Sequence, residues 1–166
     1  MKYTSAQANK LLKSLNSERN MIISQEDLSR SFVSSINEDP EKIRPQYDFQ
    51  ETRKQLEEVE RKIRLVKHAL NVFNSTTVIE GMTIDEALVY IPQLTARKQK
   101  LEMMQNVLPI QRQSSYGTNI IDYVYANYDV ELAKAEYVKT EAELTKIQLA
   151  LDTVNNSEDY LIEIDL

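Results

Sequence analysis

The sequence predicts a mainly α-helical protein, a long antiparallel helical hairpin or bundle with coiled-coil-like contact stripes and a minor two-stranded β element. Residues 49–73 and 130–154 place apolar side chains at alternating steps of three and four, the spacing of helices that pack along one another. The 166 residues include only two glycines and four prolines, too few for a turn-rich β sandwich. A chain of this length suits one domain, so we expect a single helical domain over residues 1–166.

The N-terminal region predicts a first helix within residues 1–28, because five residues at helical spacing form one stripe. These are Ala8, Leu12, Leu15, Arg19 and Ile22. Residues 29–47 form a connector in which Pro40 and Pro45 prevent regular structure from running through. Within the connector, residues 29–36 contain enough β-forming side chains for a short strand.

The central helix is predicted over residues 48–74, with Asp48 as its N-cap. Its contact stripe, the central stripe, consists of Phe49, Thr52, Leu56, Val59, Ile63, Val66, Leu70 and Phe73. Three glutamates on its outer face, Glu57, Glu58 and Glu60, each precede a basic residue by four positions. Such pairs stabilise an exposed helical face and require no active site to explain them.

A third helix is predicted over residues 83–108, because Thr83 and Glu86 match a capping box at its start. Its stripe comprises Ile84, Leu88, Ile91, Leu94, Leu101 and Leu108. Pro92 lies well inside this helix, so we expect a kink or a break there. Lys98 occupies a stripe position where an apolar residue would be expected.

The C-terminal third predicts a strand, a helix and a tail. Residues 117–127 alternate in the manner of a strand, and the partner we expect for it is the stretch around Phe32. The last helix is predicted over residues 129–156 with Asp129 as N-cap, followed by an acidic tail over residues 157–166. The C-terminal stripe of this helix consists of Val130, Ala133, Tyr137, Thr140, Leu144, Ile147, Leu151 and Val154.

The composition of the chain indicates which cellular compartment and which partners to expect. The absence of cysteine excludes a disulfide scaffold and a thiolate metal site, and it fits a reducing compartment. The N-terminus leads into a polar helix, so no signal peptide is predicted, and the apolar runs are too short for a spanning helix. A net charge of −6 disfavours nucleic acid as the main partner. We therefore expect a cytoplasmic protein.

No residue pattern predicts catalysis, a cofactor or a metal ion. His68 is the only histidine and has no second histidine or cysteine to complete a metal site, so a surface or packing role is expected. The carboxylates of Glu57, Glu58 and Glu60 lie on one charged helical face, whereas paired-carboxylate chemistry needs groups that face each other across a cleft. Gly81 and Gly117 are the only glycines, so no phosphate-binding glycine loop is present. The protein is predicted not to be an enzyme.

Two side-chain groups could contact a partner. Arg97, Lys98, Lys100 and Arg112 form the one local basic cluster, which could meet an anionic partner or could cover apolar surface and pair with neighbouring acids. Four tyrosines surround the predicted strand, namely Tyr116, Tyr123, Tyr125 and Tyr128. A base-stacking platform would need flanking Lys or Arg, but Asp122 and Asp129 stand there, which favours core or subunit packing.

Four places in the sequence carry a family resemblance. They are Leu70-Asn71 with Asn74 and Thr76, the Gly81-x-Thr83-x-x-Glu86-Ala87-Leu88 motif, the extended stretch from Ile120 to Asp129-Val130, and Leu144-x-x-Ile147-Gln148 with Asn155. In these places the chain resembles a septicolysin-like family of uncharacterised bacterial helical proteins. The resemblance implies an elongated, oligomeric helical hairpin protein with a small β element, and it implies no established activity.

These observations predict a non-catalytic, self-associating structural or interaction protein that binds a second copy of itself. The residues expected at helix-packing or subunit contacts are Leu56, Val59, Ile63, Val66, Leu70, Phe73, Tyr137, Leu144, Ile147, Leu151 and Val154. The family label suggests an alternative, a membrane-active protein of pore-forming type, which the mixed-charge polar faces and the net acidity disfavour. A third alternative is an enzyme whose site lies between subunits.

Overall fold

In a computed structural model, the protein is mainly α-helical, as the sequence predicts. The structure describes residues 1–114 and 121–166, and these contain five helices and three two-stranded β ladders. The chain divides into two compact units: residues 1–74 with 154–166, and residues 75–153. Among the described residues, no helix combines the length and the apolarity needed to cross a bilayer.

In the first unit, helices α1 (Ser5–Ser29) and α3 (Phe49–Thr76) run antiparallel. The direction follows from two ion pairs: Arg19 contacts Glu60 at 2.8 Å, and Glu26, one heptad later on α1, contacts Arg53, one heptad earlier on α3. Asp48 is the N-cap of α3, as predicted, since its Oδ1 accepts a hydrogen bond from the Glu51 N–H at 3.0 Å.

The central stripe packs against α1 in two apolar clusters. Near one end, Ala8 and Leu15 cluster with Val66 and Leu70, and Ile63 and Phe73 are half-buried beside them. Near the other end, Ile22 clusters with Leu56 and Val59. From Leu56 to Phe73 the steps of three and four therefore mark the face that α3 buries, which is the role assigned to them from sequence. Phe49, the first residue of the predicted stripe, is 61% exposed and is not part of that face.

The predicted acidic tail is wrong, because part of it forms a strand of the first unit. β1 (Lys2–Tyr3) pairs antiparallel with β6 (Ile162–Glu163). Ile162 and Ile164 are buried in the same cluster as Leu15 and Val66. Alternation of Ile162 and Ile164 with Glu163 and Asp165 is the period-2 pattern of a half-buried strand, which the high acid content of the segment concealed.

The strand predicted over residues 29–36 is also wrong. α1 continues to Ser29, the following residues are irregular, and the connector contains one short helix, α2 (Pro40–Ile43), capped by Asp39. Val33 and Ile36 are almost fully exposed. A strand needs a paired neighbour, and its expected partner is paired with a different segment, described below.

The second unit opens with a hairpin of β2 (Val78–Ile79) and β3 (Met82–Thr83). The two residues that connect these strands, Glu80 and Gly81, both have positive φ, 48° and 84°, as tight hairpin turns require. Thr83 then caps helix α4 (Ile84–Gln105), and the predicted capping box with Glu86 is present in both directions.

α4 runs through Pro92 without a break, so a break at this position is excluded. The N–H that proline lacks would have bonded to the carbonyl of Leu88. Leu88 is 47% exposed. This exposure corrects the sequence assignment of Leu88 to the buried stripe of this helix.

Helix α5 (Val130–Asn156) runs antiparallel to α4 within the second unit. Tyr90 donates a hydrogen bond to Glu143 at 2.9 Å, and Tyr128, which precedes α5, donates to the Met104 carbonyl at 2.8 Å near the end of α4. Asp129 is the N-cap of α5, as predicted: its Oδ1 accepts from the backbone N–H groups of Glu131 and Leu132.

Between α4 and α5 the chain forms a β ribbon of β4 (Ile110–Ser114) and β5 (Ile121–Tyr125). β5 confirms the predicted strand over residues 121–125, while residues 117–120 of that prediction lie outside the described part of the chain. Its partner is β4 and not the stretch around Phe32. The strand pairing is thus local in sequence, a hairpin-like contact and not the long-range contact that we expected.

Candidate interaction surface

Lys98, the misfit on the stripe of α4, is explained by an ion pair with α5. Its Nζ donates to Glu141 Oε1 at 2.6 Å and lies 5.7 Å from the centre of the Tyr137 ring. The hydrogen bond from Lys98 lowers the pKa of the Glu141 carboxyl, and the bond to Glu141 raises the pKa of Lys98. With 29% of its side chain exposed, Lys98 is a helix-to-helix contact.

The other members of the predicted basic cluster lie on two different elements. Arg97 and Lys100 are exposed on α4, and Arg112 is exposed on β4 of the ribbon. Arg97 interacts with Tyr90. The anion-binding role predicted for this group therefore depends on Lys100 and Arg112, because Lys98 is engaged by Glu141.

The glutamates of the central helix make structural ion pairs. Glu58 binds Arg61 at 3.1 Å and Lys62 at 3.5 Å, and the hydrogen bond from Arg61 lowers the pKa of Glu58. Glu60 pairs across to Arg19 on α1 and not along its own helix. His68 is exposed, and no three acidic or histidine side chains of the described residues come together as a metal site.

A polar cluster that sequence reasoning did not identify joins the connector to α1 and α3. Tyr47 donates a hydrogen bond to Glu26 at 2.7 Å, and Arg53 contacts the other oxygen of the same carboxylate. The bond from Tyr47, assisted by Arg53, lowers the pKa of Glu26. Glu26 is only 14% exposed, so the cluster ties the irregular connector to the helix pair.

Helix α5 has two apolar stripes on opposite faces. The predicted C-terminal stripe faces inward: Leu144, Ile147 and Val154 are buried, and Tyr137 and Leu151 are half-buried. A second set repeats at the same alternating steps but is exposed, and we call it the outer stripe. It comprises Ala135, Val138, Ala142, Thr145 and Leu149.

The large apolar residues of the outer stripe are mostly exposed to solvent. Val138 is 63% exposed and Leu149 is 62% exposed, and Leu132, one turn before the stripe begins, is 61% exposed. Sequence analysis missed this stripe because the stronger inward stripe accounted for the helix. The signal was present nevertheless, as steps of three and four from residue 135 to residue 149.

The ribbon also has two unlike faces. Residues opposite one another in an antiparallel pair share a face, so its apolar face contains Ile110 with Tyr125, Arg112 with Tyr123, and Ile121. Gln111, Gln113, Asp122 and Val124 lie on the other face. On the apolar face Ile110, Ile121, Tyr123 and Tyr125 are each more than half exposed. Tyr116, one of the four tyrosines that surround the predicted strand in the sequence, lies outside the described residues.

Two open grooves add little to this surface. One lies in the second unit between α4 and α5, has a volume of about 590 Å³, and is lined by Leu88, Ile91, Pro92, Gln148, Leu151 and Asp152. The other, of about 460 Å³, lies between α1 and α3 of the first unit. Its lining contains both acidic and basic side chains, namely Glu18, Glu51, Glu58, Lys54 and Lys62. Mixed charges of this kind are typical of a solvated helical face.

Comparison of the chain with known proteins adds no relative. No protein-family model, no curated protein and no solved structure matches it. The outer stripe of α5 and the apolar face of the ribbon are therefore the features on which a functional proposal can be built.

Proposed function

We propose that the protein is a non-catalytic, self-associating helical structural or interaction protein of the cytoplasm. The observation that carries this proposal is that α5 is apolar on two opposite faces, one of which is exposed in the single chain. Apolar side chains that repeat along one face of a helix are more stable in an environment away from water. A second copy that covers the outer stripe would give α5 that environment.

The composition of the outer stripe supports a helix partner. In the outer stripe the larger Val138 lies between Ala135 and Ala142, and Thr145 and Leu149 follow. Small residues let the axes of two helices approach closely, and the larger ones fill the gaps between facing side chains. Lys139 and Lys146 border the stripe on one side and Glu141 on the other, the arrangement of charged flanks around an apolar contact in coiled coils.

Sedimentation velocity over a concentration series tests the proposal. Wild-type protein should sediment as an oligomer at micromolar concentration, and Val138→Glu should shift it towards smaller species, because a carboxylate in the contact would lose its water. Lys10→Gln is the matched control: it makes the same change in net charge at an exposed position of α1, far from the stripe in sequence, and should leave the distribution unchanged. A wild-type monomer at these concentrations would refute self-association.

The ribbon supports one alternative function, a membrane-active protein, which is also the alternative that the family label suggests. Its apolar face presents two tyrosines, two isoleucines and Arg112 to solvent, a combination that can enter the headgroup region of a bilayer. Dye release from vesicles that contain anionic lipid tests this alternative. If the wild-type protein releases no dye, the membrane hypothesis is wrong.

A further inference from the structure

We propose that two copies of the chain join their ribbons edge to edge through β5, forming a four-stranded antiparallel sheet with a two-fold axis at Tyr123. This inference rests on the proposed self-association and specifies a second contact surface for it. A two-stranded ribbon is marginally stable in water by itself, and no third strand from the described residues joins this one. Every residue of β5 is exposed.

In an antiparallel ribbon, opposite residues alternate between pairs that are hydrogen-bonded to each other and pairs that are not. The residues of the non-bonded pairs point their backbone N–H and C=O groups outward, to the free edge of each strand. The Ala126 N–H donates to the Pro109 carbonyl at 3.0 Å, so hydrogen-bonded pairs recur at every second position from there. Two further pairs of residues are therefore joined by backbone hydrogen bonds within the ribbon: Gln111 with Val124, and Gln113 with Asp122. The backbone groups of Ile121, Tyr123 and Tyr125 point away from β4, towards a strand that could be added.

A second copy of β5 matches this edge by symmetry. With Tyr123 opposite its own counterpart, Ile121 of one copy lies opposite Tyr125 of the other. The outward N–H and C=O groups of these residues then form about six hydrogen bonds between the copies. Aromatic pairs and aromatic–β-branched pairs are favourable cross-strand neighbours. The apolar faces of the two ribbons become one continuous surface.

The opposite edge of the ribbon is a poorer choice. A two-fold pairing of β4 with itself, centred in the same way, would place Arg112 directly opposite Arg112 of the second copy. Like charges opposite one another on a sheet are destabilising. Charge therefore selects the β5 edge, where the residue on the axis is an uncharged aromatic.

Disulfide trapping tests this arrangement cleanly because the chain contains no cysteine. In the proposed sheet, the Cα atoms of the two copies of residue 123 lie about 5.5 Å apart, within the range of a disulfide. The Cα atoms of residue 112 lie three strand spacings apart, about 14 Å, which no disulfide spans. Tyr123→Cys and Arg112→Cys thus form a matched pair of exposed single-cysteine variants on opposite strands.

Each variant is oxidised at equal concentration, and covalent dimer is followed on non-reducing gels. We expect Tyr123→Cys to link at least tenfold faster than Arg112→Cys. Equal rates, or faster linking at residue 112, would overturn the pairing through β5. Sedimentation of the reduced Arg112→Cys variant, which retains Tyr123, separates the two proposals. If this variant is an oligomer and residue 123 does not link, self-association is retained and the ribbon contact is refuted, whereas a monomer refutes both.

Repeating the oxidation in the Val138→Glu background separates the ribbon from the outer stripe. If the two surfaces are independent contacts, the cysteine at residue 123 still links at an unchanged rate in that background. A rate that falls to the level of the residue 112 control would show that the copies meet only through α5, and the ribbon contact would be wrong.

Discussion

Replacing Ile164 by alanine should destabilise the first unit strongly, although the residue lies in the acidic segment that follows the last helix. Ile164 is 2% exposed and packs in the cluster of Leu15, Val66 and Leu70. Alanine removes three carbon atoms, and at about 0.8 kcal/mol for each the transfer loss is about 2.4 kcal/mol. A cavity adds to this value, so we expect a total of about 2–5 kcal/mol.

Hydrogen exchange of the α1 amides measures this loss within the first unit, through the free energy of the opening that exposes them. Ile164→Ala should lower that free energy by the amount given above. Leu161→Ala is the control, since Leu161 is 43% exposed next to the same strand, and it should cost about 1 kcal/mol or less. Equal effects of the two substitutions would refute the docking of the C-terminal strand into the core.

Three further predictions follow from contacts elsewhere in the molecule. Because Lys98 holds the pKa of Glu141 below its ordinary value of 4.5, the stability from this pair is present above pH 4.5 and is lost as the pH falls through the lowered pKa. In acid titrations followed by circular dichroism, Glu141→Gln should therefore flatten the pH dependence below 4.5, and a wild-type-like curve would contradict the pairing. Thr83→Ala should cost about 0.5–2 kcal/mol in urea unfolding, with Thr83→Ser close to wild type, because the hydroxyl caps α4. Tyr47→Phe should raise the pKa of Glu26 towards its ordinary value in a carboxyl NMR titration, since the hydrogen bond from Tyr47 is the main cause of its depression. An unchanged pKa of Glu26 would show that Arg53 and Arg30 lower it without help from Tyr47.

Sequence periodicity predicted the helices well because their determinants are local. The caps at Asp48, Thr83 and Asp129 bond to backbone groups two or three residues later. Neighbouring residues of the central stripe are three or four positions apart. Lys98 was identified as a misfit, but its partner Glu141 lies on another helix, and no periodicity within α4 could reveal it. Local patterns thus identify a side chain that needs a partner without identifying the partner.

The strands were predicted less well because pairing is not encoded locally. β4 has a single large apolar residue, Ile110, and no alternation, so only its neighbour β5 makes it a strand. β6 does alternate, but its partner β1 is at the other end of the chain. In the stretch around Phe32 the reverse holds: β-forming residues are present, but no strand among residues 1–114 and 121–166 pairs with them.

The exposed apolar stripe of α5 was missed for a different physical reason. A period analysis assigns one buried face to a helix, and α5 satisfies it with the C-terminal stripe. Burial in the single chain then separates the two stripes, because Leu144 is 7% exposed while Val138 is 63% exposed. Exposure in the single chain is equally informative for the ribbon. The alternation of residues in β5 predicts a strand with one apolar face, but it does not show whether the chain itself covers that face. Among the described residues, both of these exposed apolar faces belong to the second unit, and they are the surfaces on which the proposed self-association is based.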